Sequence, residues 1–233
     1  MKKILLFLLI PLSLNSFSEN IWKIKGGLGF TEFGEYVGLH HPVSSSGTDK
    51  TQPVETTTFQ LLEDKSDTSK HFGIDLTHFY DNKLGVNVGV YKDSISPKIP
   101  NRGSFNGGIF VSDQTYDTTT DWYRYEVGPV YRFENLDKTK INPFVGLNYV
   151  YTNGDRDNSN YVPYGIGGKS KVTCNGYNSR FGMDYEMEDS NIFSIEYQRV
   201  ELDCDTGSFR SFQSGYSSDE TMNQLMVSIG RKF

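Results

Sequence analysis

The sequence predicts an all-β chain: an eight-stranded antiparallel up-and-down transmembrane β-barrel, with long connections at one end and short turns at the other. Three observations predict it. Apolar residues recur with a period of two in eight separate segments, and no period near 3.6 persists after residue 18. Aromatic residues sit at the two ends of these apolar stripes with aliphatic residues between them, the pattern that a bilayer with two interfaces selects. Connection lengths alternate strictly: 81–83, 134–142 and 188–191 are short, whereas 32–71, 92–121, 152–172 and 202–221 are long.

The first residues are read as an export signal. Lys2 and Lys3 form a positive start, Ile4–Leu14 is an apolar stretch, and Ser16 and Ser18 supply small residues at the positions a signal peptidase reads. The stretch falls short of the roughly 20 residues a spanning helix needs. Cleavage is expected after Ser18, giving a signal peptide over 1–18 and one barrel domain over 19–233. The cleavage point carries no Cys, so no lipoprotein anchor is expected.

Each segment follows in order, with its apolar face expected to point outward. Segment one (22–31) sets Trp22, Ile24, Leu28 and Phe30 against Lys23, Lys25, Gly27 and Gly29. Segment two (72–80) sets Phe72, Ile74, Leu76, His78 and Tyr80 against Gly73, Asp75, Thr77 and Phe79. Segment three (84–91) sets Leu84, Val86, Val88 and Val90 against Gly85, Asn87, Gly89 and Tyr91. Segment four is the clearest: Tyr123, Tyr125, Val127, Pro129, Tyr131 and Phe133 alternate with Trp122, Arg124, Glu126, Gly128, Val130 and Arg132. Segment five opposes Pro143, Val145, Leu147, Tyr149 and Tyr151 to Phe144, Gly146, Asn148 and Val150. Segment six opposes Tyr177, Phe181, Met183 and Tyr185 to Asn178, Arg180, Gly182 and Asp184. Segment seven opposes Phe193, Ile195 and Tyr197 to Ser194, Glu196 and Gln198. The last segment opposes Leu225, Val227, Ile229 and Phe233 to Gln224, Met226, Ser228 and Lys232.

A water-soluble antiparallel sandwich also alternates. Its exterior rarely needs so much glycine, whereas a crowded barrel interior interleaves large and small residues; here glycines such as Gly27, Gly29, Gly73, Gly85, Gly89, Gly128, Gly146 and Gly182 accompany Lys, Arg, Asp and Glu on the polar face. Negative mean hydropathy does not argue against a membrane strand, because its two faces average to a polar number. The formal charge of −6 becomes −8 without Lys2 and Lys3, which excludes nucleic acid as an expected partner.

The final segment, Leu225 to Phe233, resembles the closing strand of bacterial outer-membrane barrels, which end on an aromatic residue preceded by alternating apolar residues. Arg231 departs from the apolar residue usual at its place and can snorkel to nearby headgroups. Strand number and loop asymmetry extend the resemblance over residues 19–233, toward small barrels of the OmpA, OmpX and OmpW type. It implies residence in the outer membrane with both termini in the periplasm. It also implies contact with lipids and lipopolysaccharide, and recognition of Leu225, Val227, Ile229 and Phe233 by the barrel assembly machinery.

Three constellations could carry function. The inward residues Lys25, Asp75, Glu126, Arg180 and Glu196 fall at comparable depth. An eight-stranded barrel has room for side chains and little else, and buried charges must pair, so a closed, ion-paired interior is expected. A narrow pore or an OmpW-like conduit for small molecules is the alternative. Phe79 opposite Gly85 is a packing device. The two cysteines of an exported chain are expected to pair. If Glu188-Asp189-Ser190 is a three-residue turn, opposed residues number to 378, which places Cys174 directly across from Cys204 on the inward face.

Catalysis is not expected. His78 faces outward without a serine two residues away, and His40 and His41 beside Ser44–Ser46 and Asp49 read as polar loop. No metal-ligand spacing and no cofactor motif is present in the sequence. The long connections are rich in Ser, Thr, Asn, Asp, Gly and Tyr, an adaptable binding composition. Residues 102–117 contain Gly103, Phe105, Ile109, Phe110 and Tyr116, enough for a hairpin beyond the membrane. The expected role is therefore a non-enzymatic surface protein: barrel as anchor, loops for adhesion to a host or cell-surface ligand or for envelope integrity. A lipid A-modifying enzyme is the third reading.

Overall fold

Period-two alternation becomes a single closed sheet in a computed structural model. It describes residues 19–33, 36–40, 57–61, 67–80, 83–96, 98–105, 108–117, 119–133, 140–157, 169–206 and 216–233. The expected export signal, His41, Ser44–Ser46 and Asp49 lie outside the described residues. Twelve strands follow in order: β1 (Glu19–Phe33), β2 (Tyr36–His40), β3 (Thr57–Leu61), β4 (Asp67–Phe79), β5 (Leu84–Ile95), β6 (Lys98–Phe105), β7 (Gly108–Asp117), β8 (Thr119–Arg132), β9 (Ile141–Asp157), β10 (Lys169–Glu186), β11 (Asn191–Thr206) and β12 (Tyr216–Lys232). Eight of them form the wall in the order β1-β4-β5-β8-β9-β10-β11-β12, and β12 pairs back to β1. Each neighbour is antiparallel. The short strands β2, β3, β6 and β7 prolong the sheet at the long-loop end. The β6–β7 hairpin there pairs Gly103 with Phe110 and Ser104 with Ile109.

Closure fixes the tilt. Following directly opposed partners once round the wall, from Lys23 through Asp75, Gly89, Glu126, Val150, Gly176, Leu202 and Glu220, returns to β1 at Phe33. The stagger is thus ten residues for eight strands, a combination that needs strands tilted by roughly 35–45°. Along β8, Tyr123 to Phe133 covers about 33 Å. Projected at a tilt of roughly 40°, that is about 25 Å, the height of the apolar band on outer-membrane barrels.

The start of β1 and the C-terminal Phe233 lie together at the short-turn rim. Asn20 N–H donates to the Phe233 carbonyl at 3.1 Å and Phe233 N–H to the Asn20 carbonyl at 2.9 Å. The turn between β10 and β11 is Glu188–Ser190, with Asp189 and Ser190 at φ of 62° and 64°. It sets the register that opposes Cys174 to Cys204.

The strands run further than the alternation of an apolar outer face allows. β5 continues to Ile95 rather than Tyr91, β10 starts at Lys169, β11 reaches Thr206 and β12 starts at Tyr216. Much of what reads as loop in 92–121, 152–172 and 202–221 is barrel wall. At the opposite rim, Asn142 belongs to β9 and is buried, not part of the turn. The physical reason is an inversion of faces. In β11 the outward residues Phe193, Ile195 and Tyr197 give way to Arg199, Glu201, Asp203 and Asp205, while the inward Ser194, Glu196 and Gln198 give way to Val200, Leu202 and Cys204. Along β11 the wall is apolar outside and polar inside at first, then polar outside and apolar inside. The first regime suits lipid, the second water. An alternation rule that assigns apolar to outside ends each strand where the solvent changes.

Candidate functional site

Within the lipid-facing band, the apolar stripes leave the barrel interior as the place for polar side chains among the described residues. Among the described residues, six cations (Lys23, Lys25, Arg124, Arg132, Arg156, Arg180) and six anions (Asp75, Asp93, Glu126, Asp184, Glu196, Glu220) are buried there. Their numbers cancel, and the ion pairs they form, with one another and, for Arg132, with Glu19, offset the heavy cost of taking charge out of water.

The charges form layers. Nearest the short turns, Lys23 Nζ donates to Asp184 at 2.6 Å and lies 4.7 Å from the Phe144 ring centre. Arg132 reaches Glu19 at 2.8 Å and covers the Phe79 ring at 3.8 Å. A four-membered cluster follows: Lys25 lies 2.5 Å from both Asp75 and Glu196, and Arg180 contacts the same two carboxylates at 3.0 and 2.5 Å. Four of the five residues read from sequence are therefore mutual partners. Glu126 sits in the next layer, paired with Arg124 and accepting from Asn148 at 2.9 Å and Asn178 at 2.8 Å. Gln198 joins the layers, donating to Glu196 at 2.8 Å and accepting from Arg124 at 3.3 Å.

The sequence reading missed the far side of that layer. Asp93 accepts from Arg124 Nε at 2.8 Å and from Trp122 Nε1 at 3.0 Å, and its other oxygen lies 2.7 Å from His71 Nδ1. His71 Nε2 is 2.7 Å from Ser69 Oγ. The available signal was a serine two residues before a histidine on an inward face, but Asp93 lay beyond the expected end of segment three. The atom order is that of a nucleophile relay. Ser69, however, is wholly buried, and the β4 backbone is laddered to β1 and β5. Ladder N–H groups are not available as an oxyanion hole.

Above the charges an apolar layer crosses the lumen. Ile95, Trp122, Val150, Val172, Val200, Leu202 and Met222 surround the disulfide between Cys174 and Cys204, all at 4 % exposure or less. Trp122, Val150 and the two cysteines were expected inward from sequence; Ile95, Val172, Val200, Leu202 and Met222 lie beyond the expected segment ends, and they complete the collar as the inward face of the inverted stretch. Arg156 and Glu220 pair in the wall beyond the lipid-facing band. Small residues make room for large ones: a Cβ on Gly85 would lie 2.9 Å from Phe79, and one on Gly182 2.5 Å from Phe144.

The terminal residues expected to guide assembly are placed at the seam. Leu225, Val227, Ile229 and Phe233 all face outward, 46–68 % exposed. Leu225 opposes Leu28 and Ile229 opposes Ile24 across the closing pair.

A closed eight-stranded antiparallel barrel with an apolar outer band and an ion-paired interior is a small barrel of the outer-membrane type. One solved structure superposes well enough to support this fold. The outer membrane protein OprG of Pseudomonas aeruginosa superposes with a TM-score of 0.55 at 12% identity, over 93% of this chain and 97% of that one. Neisserial surface protein A gives 0.49 at 9% identity (91% and 97% covered), and the Escherichia coli outer membrane protease OmpT 0.46 at 12% (96% and 99%). No family model and no curated protein sequence matches the chain. The likeness is one of fold.

Proposed function

We propose that the chain is an exported, non-enzymatic outer-membrane surface protein whose barrel anchors a structured external platform for adhesion or envelope integrity. One observation carries the reading. Beyond the lipid-facing band the wall continues as a water-adapted barrel, stapled by Cys174–Cys204 and extended by the β6–β7 hairpin. An anchor alone has no need of it. Residues 1–18 are proposed as the export signal, and the short-turn rim with both termini as the periplasmic side. Proposed partners are outer-membrane lipids and lipopolysaccharide, the barrel assembly machinery, and a host or cell-surface ligand at the loops. The packed charge layers and apolar collar support an anchor over a conduit, and buried Ser69 supports a structural role over hydrolysis.

The test compares cells displaying the whole protein with cells whose barrel lacks 98–117 and 158–168, binding to host matrix proteins and to epithelial cells. Loss of binding with the barrel still folded supports the platform. Equal binding, or altered lipid A mass spectra in a deletion strain, rejects it.

A further inference from the structure

The outward face of β1 has a gap. Trp22, Ile24, Leu28 and Phe30 are large and lipid-facing, but Gly26 stands between them. The inward glycines Gly27 and Gly182 have their missing side chains replaced by Met226 and Phe144, whereas a Cβ on Gly26 meets nothing within 4 Å. Its direct partners on either side are Phe72 and Val227. The result is an open notch of about 490 Å³ along the β1–β12 seam, walled by Ile24, Phe72, Phe193, Val227 and Ile229. It runs down to Trp22, and Trp22 opposes Arg231, an exposed outward cation at the short-turn rim.

We propose that this notch is a binding site for one glycerophospholipid. One acyl chain lies over Gly26, and the phosphate meets Arg231 beside Trp22. Three observations choose that occupant. The notch lies inside the apolar band, where the medium is hydrocarbon. Arg231 lies about 13 Å along β12 from Val227, so a headgroup at the rim and a chain in the notch belong to one lipid. Guanidinium matches phosphate in geometry and charge. A second copy of the barrel fits poorly: a two-fold axis along the membrane normal sets each surface level against itself. Notch would face notch with nothing to fill it, and Arg231 would face Arg231. Assigning the lipid to the periplasmic leaflet rests on the orientation proposed above; the site itself does not.

The experiment is native mass spectrometry of the folded barrel in detergent, with palmitoyl-oleoyl phosphatidylglycerol or phosphatidylethanolamine added, and lipopolysaccharide as a separate arm. Gly26→Leu fills the notch with space to spare, so folding is retained, and heat-modifiable gel mobility verifies it. The wild type is expected to hold one phospholipid under activation that strips the rest. Gly26→Leu and Arg231→Gln each lower that occupancy by about tenfold. Ser179→Leu, on the lipid face of β10, leaves it unchanged. Brominated chains at one lipid per barrel should quench Trp22, while the lumenal Trp122 stays bright. Equal retention by Gly26→Leu, a lipid count without a preferred value of one, preference for lipopolysaccharide, or a dimer in place of the adduct overturns the proposal. None of these outcomes touches adhesion by the loops.

Discussion

Arg180 on β10 grips Glu196 on β11 with two parallel hydrogen bonds, Nε to Oε1 at 2.5 Å and Nη2 to Oε2 at 3.0 Å. Both residues also belong to the cluster with Lys25 and Asp75. Removing one member leaves a buried charge short of partners. Arg180→Met is therefore expected to destabilise the barrel by about 3–5 kcal/mol in urea unfolding from lipid vesicles. The double variant Arg180→Met/Glu196→Met leaves Lys25 with Asp75, a balanced pair, and is expected to recover most of the loss. Additive losses in the double variant would show that the cluster is not one electrostatic unit.

The same layers predict electrical silence. From the Lys25 cluster through Arg124 and Glu126 to the collar at Trp122, the lumen is occupied by side chains that are almost fully buried. Purified protein in planar bilayers should show no steady, reproducible conductance. A stable open state of porin size would mean that the charge layers line a channel instead of closing it.

How far the fold was legible depends on which solvent each stretch of wall meets. In Tyr123–Phe133 every second residue is apolar and lipid-facing, so period and face could both be read. In Arg199–Asp205 the period is equally clean but the phase is reversed, and a rule tuned to lipid reads it as loop. The interior could be read where strands were correctly bounded: Lys25, Asp75, Arg180 and Glu196 lie in segments whose inward face was assigned, and they pair with one another. Asp93 did not enter because its strand was ended at Tyr91. His71 stands one residue before the expected start of segment two at Phe72, so it and Ser69 were left out as well.

Cys174 and Cys204 were legible because one turn fixes one register, and their bridge makes a specific prediction. Both cysteines are fully buried in the collar. Thiol reagents should fail to label denatured, unreduced protein, and reductant should open the bridge only after unfolding. Cys204→Ser should lower stability by up to roughly 3–4 kcal/mol, the loop-closure term for a 30-residue separation. Free labelling of both cysteines without reductant would remove the bridge.

Ser69, His71 and Asp93 have relay distances without relay access. A fluorophosphonate probe should leave the folded protein unlabelled. Ser69→Ala should alter stability by about 1–3 kcal/mol through the orphaned His71 nitrogen, and change no hydrolytic readout. Stoichiometric labelling of the folded barrel, abolished by Ser69→Ala and by His71→Asn, would make the barrel an enzyme.

Phe233 separates recognition from stability. Its ring is 68 % exposed on the outward face, so it packs little against the protein, while its backbone exchanges two hydrogen bonds with Asn20 at the seam. Phe233→Leu keeps both bonds and an apolar side chain; deleting Phe233 removes the bonds as well. If the terminal aromatic is read by the assembly machinery, both variants should accumulate unfolded in cells, as reported by heat-modifiable gel mobility. Refolded in vitro into vesicles, Phe233→Leu should match the wild type within about 0.5 kcal/mol. The deletion should lose only about 1–3 kcal/mol for the two bonds. Wild-type folding of both variants in cells would show that the closing strand needs no terminal aromatic. A large loss for Phe233→Leu in vitro would instead make the ring a structural element of the seam.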